Sequence, residues 1–94
     1  MIELLLKLYV VNESAQTRMI IQNIKKTCNI DSQLKLKLQV INILEEPHLA
    51  IKDKILATPT IVRELPPPVI KLVGDLSDIN KVIIGLKLKE LLLK

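Results

Sequence analysis

The sequence predicts an α/β fold, and three observations carry that prediction. Ile2 to Val11 is leucine-rich and apolar on both parities. Ser14 to about Cys28 repeats apolar residues at helical spacing, and Leu34-Lys35-Leu36-Lys37-Leu38-Gln39-Val40 alternates strictly. Strand, helix and strand within about 40 residues form a βαβ unit, which implies parallel strands and a right-handed crossover.

The first strand, apolar on both parities, is expected at the centre of the sheet with both faces covered. Asn12-Glu13-Ser14 is a turn with capping chemistry. Ser14 suits the N-terminus of a helix whose Ile20, Ile24 and Cys28 recur every four residues on one face. Asn29 to Gln33 breaks that pattern before the alternating strand begins. Pro47 fits the first turn of a short helix, with Glu45 and Glu46 near its positive end. Leu56 to Val62 has strand composition, and Pro59 confines it to an edge or a bend. Pro66-Pro67-Pro68 is a rigid elbow, Val69 to Val73 a further strand, and Gly74-Asp75 its closing turn.

The last segment carries two patterns. With Ser77 as cap, Ile79, Val82, Ile83 and Leu86 form a helical stripe. The same stretch alternates as a strand would, with Val82, Ile84, Leu86 and Leu88 on one parity. Gly85 weakens a helix interior by ~1 kcal/mol relative to Ala. Length and capping favour the helix, and a strand remains admissible.

The 94 residues are read as one domain, 1–94. Apolar residues make up 49% of the chain but aromatic ones only 1%, Tyr9 alone, so the core must be built from Ile, Leu and Val. No apolar run approaches the ~20 residues of a membrane-spanning helix, and Glu3 stands where a signal peptide wants a base. The expectation is a cytoplasmic protein with no integral-membrane segment. The net charge of +4 comes from lysines spread along the chain. Without aromatic platforms to stack bases, a solvated basic surface is expected rather than a nucleic-acid interface. An acidic protein partner suits it better.

A βαβ half followed by a Thr-Pro segment, two strands and a helix has the outline of a thioredoxin-like fold. Its redox cysteines would sit at the start of the first helix, where this chain has Glu13-Ser14-Ala15-Gln16-Thr17. Disulfide exchange proceeds by thiolate attack, so that activity is not expected. Cys28, at the far end of the helix, reads as a small buried hydrophobe. Gly74 and Gly85 begin no phosphate loop. His48 is the sole histidine, beside Pro47, and makes neither a triad nor a metal cluster. Asp75 and Asp78 flank Ser77, where helix capping explains them more simply than a metal or an acid–base pair. No enzyme, metal or cofactor is expected.

Several segments together resemble the KaiB family over nearly the whole chain. They are Leu6-Lys7-Leu8-Tyr9-Val10, Asp53-Lys54-Ile55-Leu56-Ala57-Thr58-Pro59-Thr60, Leu65-Pro66-Pro67-Pro68-Val69, Gly74-Asp75-Leu76-Ser77 and Lys81-Val82-Ile83-Ile84-Gly85-Leu86, in order and at the expected spacing. The resemblance implies a non-enzymatic adaptor that docks on a KaiC-like hexameric ATPase ring and modulates its phosphorylation or ATPase state, in circadian-type timing or stress response. It also implies self-association to a dimer or tetramer. The C-terminal half would adopt either the thioredoxin-like arrangement or the rearranged KaiB ground-state fold. Lys54, Ser77 and Gly85 are the expected partner-binding positions, and Pro59, Pro66, Pro67, Pro68 and Gly85 the expected fold-switch positions. The alternative is a thioredoxin-like sensory domain related to the N-terminal domain of clock histidine kinases. The chain departs from the family pattern at Val11-Asn12-Glu13-Ser14, which replaces a glycine-containing turn. It departs again at Lys87, where the family often has Asp, and the long acidic tail of cyanobacterial members is expected to be missing beyond Leu93-Lys94. These departures bear on roles that need KaiA or a clock kinase as further partners.

Overall fold

A computed structural model describes residues 2–29 and 33–92. Much of the break expected at Asn29 to Gln33 lies outside the described residues, as do Met1 and the chain end Leu93-Lys94. The order of elements is β1 (Ile2–Val10), α1 (Ala15–Cys28), β2 (Leu34–Asn42), α2 (Pro47–Lys52), β3 (Thr60–Leu65), β4 (Ile70–Val73), α3 (Ile79–Gly85) and α4 (Lys89–Leu92). One sheet runs in the order β2-β1-β3-β4. β1 pairs parallel with β2 over its full length and antiparallel with β3, which in turn pairs antiparallel with β4. This is the thioredoxin-like arrangement of both halves. Of the two states expected for the second half, the structure holds that one, and the stretch after Asp78 is helical.

Local chemistry explains the boundaries. Ser14 caps α1, its hydroxyl accepting from the Thr17 N–H at 3.1 Å. Pro47 opens α2 after Glu46. Two expectations shift. The third strand begins at Thr60 rather than Leu56, because Pro59 has no N–H for a ladder and the Thr60 hydroxyl instead donates to the Ala57 carbonyl, closing a turn. The cap of α3 is Asp78, not Ser77: its carboxylate accepts from the Asn80 N–H at 3.0 Å. Ser77 lies in the preceding turn, with its N–H donated to Asp75 Oδ1 at 3.0 Å and its hydroxyl to the same oxygen. Gly74, at φ 122°, takes the positive-φ backbone that this turn requires. The Thr58-Pro59, Leu65-Pro66 and Pro67-Pro68 bonds are cis.

β1 is central, but its two faces differ. Leu4, Leu6, Leu8 and Val10 are buried in the main core with Ile20, Ile24 and Cys28 of α1, Val82 of α3, and Leu86, Leu88 and Leu91 beyond it. Each fully buried leucine contributes roughly 1.5–3 kcal/mol. On the other face, α2 covers only one end, where Tyr9, Ile41, Ala50 and Val62 form a smaller cluster. Glu3 is exposed and Leu5 and Lys7 are half-buried, so the expectation of full cover on both faces holds for one face and part of the second.

Gly85 has a packing role that its helix propensity hides. A Cβ built there would lie 2.8 and 2.9 Å from the Leu72 methyls, so the end of α3 approaches β4 as closely as a bare Cα permits. Gly85→Ala therefore trades a helix gain of ~1 kcal/mol against displacement of Leu72. A double-mutant cycle by urea unfolding should show Gly85→Ala more favourable in a Leu72→Ala background than in the wild type, by about 0.5–1 kcal/mol. Additive effects would mean that the close approach carries no energy.

Candidate interaction surface

The thioredoxin-like corner between α1 and the Thr58-Pro59 turn carries no thiol. A hollow of 160 Å³ there is lined by Val10, Asn12, Ser14, Thr17, Thr58 and Pro59, among others. The buried Thr17 hydroxyl is already occupied, lying 3.2 Å from the Ser14 hydroxyl and donating to the Asn12 carbonyl at 3.5 Å. Cys28 is buried at the opposite end of α1, where burial pushes its thiol up to about 11 and suppresses the reactive thiolate. Among the described residues no cluster of His, Cys, Asp or Glu could hold a metal ion. No helix among them is long and apolar enough to cross a membrane.

The organised polar site lies instead under α2. Tyr9 is fully buried and its hydroxyl donates to the Asp53 carboxylate, with the Leu49 carbonyl 3.4 Å away. The Lys7 ammonium sits 3.4 Å from the same Asp53 oxygen and 3.1 Å from Glu64 Oε1. The β1–β3 register slips between Leu5 and Leu6, which leaves Glu64 as the extra residue of a bulge, two positions from Val62, the residue paired with Lys7. Burial and the Asp53 carboxylate both push the Tyr9 hydroxyl up. For Asp53, burial alone would raise the carboxyl, but the Tyr9 hydrogen bond and the Lys7 charge outweigh it and hold the group below its ordinary value. For Lys7, burial lowers the ammonium, and Glu64 and Asp53 together overturn that and raise it. The cluster ties α2 to the middle of β1 across more than 40 residues of sequence.

Beside this anchor, the end of α2 and the turn after it carry an apolar and basic surface. Ile51 is 77% and Leu56 97% exposed. Lys54 lies between them, exposed, with φ 56° in the left-handed region and its N–H donated to the Ile51 carbonyl at 3.1 Å. Beside it a hollow of 240 Å³ is bordered by Lys52, Lys54, Glu64, Val69 and Lys71.

The positions singled out from sequence do not form one patch. Lys54 lies on the α2 side of the sheet, Ser77 in the turn before α3, and Gly85 on the α3 side against Leu72. Pro59 precedes β3, and Pro66, Pro67 and Pro68 join β3 to β4. Lys7, Tyr9, Asp53 and Glu64 were not singled out, nor was Arg63, whose role is described below. A lysine inside a leucine-rich central strand was the one available signal.

The family profile of the KaiB domain matches residues 7–88. The chain belongs to the KaiB family. It is 47% identical over 83 residues to the circadian clock oscillator protein KaiB of a Picosynechococcus species, covering 88% of this chain and 80% of that protein. It is 36% identical to the circadian clock protein KaiB3 of a Synechocystis species, over 88% of this chain and 81% of the relative. Among solved structures, it resembles the N-terminal domain of Synechococcus elongatus SasA with a TM-score of 0.72 and 29% identity, over 96% of this KaiB chain and 89% of that domain.

The signs of the shifts in this KaiB protein fix a pH dependence. Asp53 is held below its unfolded value, so its contribution is present above the ordinary carboxylate range near 4 and is lost as pH falls through the folded value. Lys7 and Tyr9 are raised, so theirs is full below about 10 and is lost as pH rises through the folded values. Asp53→Asn should cost about 1–2 kcal/mol at pH 7 and flatten the acid limb of stability against pH, measured by chemical unfolding between pH 3 and 7. An unchanged acid limb would place the titrating group elsewhere.

Proposed function

We propose that this KaiB-family chain is a non-enzymatic, cytoplasmic adaptor, a single domain over 1–94. It binds a KaiC-like hexameric ATPase ring and modulates its phosphorylation or ATPase state, in circadian-type timing or stress response. The observation that supports this most is the surface at the end of α2 and the turn after it, where Ile51, Lys54 and Leu56 stand exposed beside the anchor of Tyr9 on Asp53. An exposed apolar pair with a cation between them suits an acidic, partly apolar protein surface. Lys54, Ser77 and Gly85 are its proposed partner-binding positions, Ser77 in the turn before α3 and Gly85 at the end of α3 against Leu72. Nothing in the reading requires a nucleic acid, a cofactor or a catalytic residue.

Self-association to a dimer or tetramer, and a second fold for the C-terminal half, belong to the same proposal. The support for the second fold is the segment 81–88, whose sequence fits a strand alternation throughout, although residues 81–85 are helical in this structure. Pro59, Pro66, Pro67 and Pro68 are its proposed slow positions, on the general ground that X–Pro bonds isomerise over tens to hundreds of seconds. The second reading is a sensory domain of the clock-kinase type, favoured by the likeness to the SasA N-terminal domain.

Size-exclusion chromatography with a KaiC-like ring and nucleotide separates these outcomes. The adaptor reading predicts a larger complex that elutes early, and Lys54→Glu should weaken its affinity about tenfold or more, the range of a central interface charge. No complex in any nucleotide state after hours of incubation would sink the proposal.

A further inference from the structure

The outer face of α3 and α4 carries an apolar trough beyond the core. Val82, Leu86, Leu88 and Leu91 are buried beneath it. Ile83 and Leu92 are half-buried, and Ile84 is 71% exposed. One hollow of 420 Å³ is lined by Ile83, Ile84, Lys87, Lys89 and Glu90. A second, of 340 Å³, shares Ile83, Ile84 and Lys89 and extends to Asn80 and Leu92. An exposed isoleucine alone means little. Two adjoining apolar hollows in the size range of small-molecule sites, with charged groups gathered at one end, mean more.

The charged end is built on a fixed backbone. Lys87 is left-handed at φ 55°, and its N–H donates to the Ile84 carbonyl at 3.1 Å. The Leu88 N–H donates to the Ile83 carbonyl at 2.9 Å. From the core side, the Arg63 guanidinium donates to the Leu86 and Lys87 carbonyls at 2.8 and 3.1 Å. A rim held in this way needs little ordering when a ligand arrives, which lowers the cost of binding. Lys87, Lys89 and Glu90 are exposed, and among the described residues none of them is in an ion pair. Two cations against one carboxylate favour an anion.

We propose that this trough binds a single-chain anionic amphiphile, an unesterified fatty acid, with its carboxylate at Lys87 and Lys89. The chain lies over Ile83 and Ile84 toward Leu92. The two apolar hollows account for the tail, and the surplus of positive charge at one end accounts for the head. The exposure of Ile84 marks the trough as shallow, so part of the chain stays wet and the affinity is modest. For a ligand of about a dozen non-hydrogen atoms, a Kd of roughly 0.1–1 mM follows. This inference does not rest on the adaptor reading and survives its failure.

Amide NMR of the full chain, titrated with decanoate below its micelle-forming concentration, tests the site. The peaks of Asn80, Ile83, Ile84, Lys87 and Lys89 should move along saturable curves. Decyltrimethylammonium has the same chain with a cationic head and should bind about tenfold more weakly or worse. Ile84→Asp should weaken decanoate binding about tenfold or more, and its exposed position should leave the fold intact by circular dichroism. Lys87→Glu/Lys89→Glu should reverse the preference in favour of the cation. The proposal is overturned if these peaks do not respond, if the two heads bind alike, or if the variants bind decanoate as the wild type does. It is overturned equally if the same peaks move only with anionic phosphatidylglycerol vesicles, or only with the concentration of the protein itself.

Discussion

The arrangement of the second half depends on a buried guanidinium. Arg63 is 6% exposed and lies on the same face of β3 as Ile61, pointing into the main core. Its Nε donates to the Pro66 carbonyl at 2.9 Å, and its Nη1 to the carbonyls of Leu86 and Lys87 at 2.8 and 3.1 Å. Among the described residues it has no carboxylate partner. A buried cation is costly unless hydrogen bonds replace its water. Here the replacement comes from the proline elbow and from the negative, carbonyl-bearing end of α3. The planar fork of donors ties together three segments that no single-donor side chain could join.

With that clamp in place, the rest of the fold can be tight on one side of the sheet and selective on the other. On the α3 side, Gly85 lets the helix close onto Leu72, and Val82, Leu86 and Leu88 complete the core begun by Leu4, Leu6 and Leu8. On the α2 side, the cover is partial. The charged cluster of Lys7, Tyr9, Asp53 and Glu64 holds a helix of only six residues that could not persist alone. Ile51 at the end of α2 and Lys54 in the turn after it are exposed next to that cluster, with the Lys54 N–H held on the Ile51 carbonyl.

How much of this was legible in the sequence follows from the range of each interaction. The strict alternation of Leu34 to Val40, the four-residue spacing from Ile20 to Cys28, Ser14 as cap and Pro47 as first helical residue are local signals, and each marks the element it predicts. Ser77 and Asp78 show the limit of local reading, since adjacent residues both suit a cap and only backbone geometry chooses Asp78. Gly85 reads as a weak point of a helix because its reason, the Leu72 side chain, lies 13 positions back in a different element. Arg63, and the pairing of Tyr9 and Lys7 with Asp53, are invisible for the same cause. Sequence shows a cation or a tyrosine in a strand, but not the partner that makes its burial tolerable.

The central claim is that Arg63 fixes the second half through main-chain carbonyls, and its most direct test is the unfolding free energy of Arg63→Met and Arg63→Lys in urea. Met leaves the buried Leu86 contact and the part-buried ones at Pro66 and Lys87 without a donor, and Lys cannot reach all of them. Both variants should lose roughly 2–4 kcal/mol, at the cost of about 1–3 kcal/mol for each buried polar group left unmatched. An Arg63→Met protein as stable as the wild type, or more stable, would contradict the account.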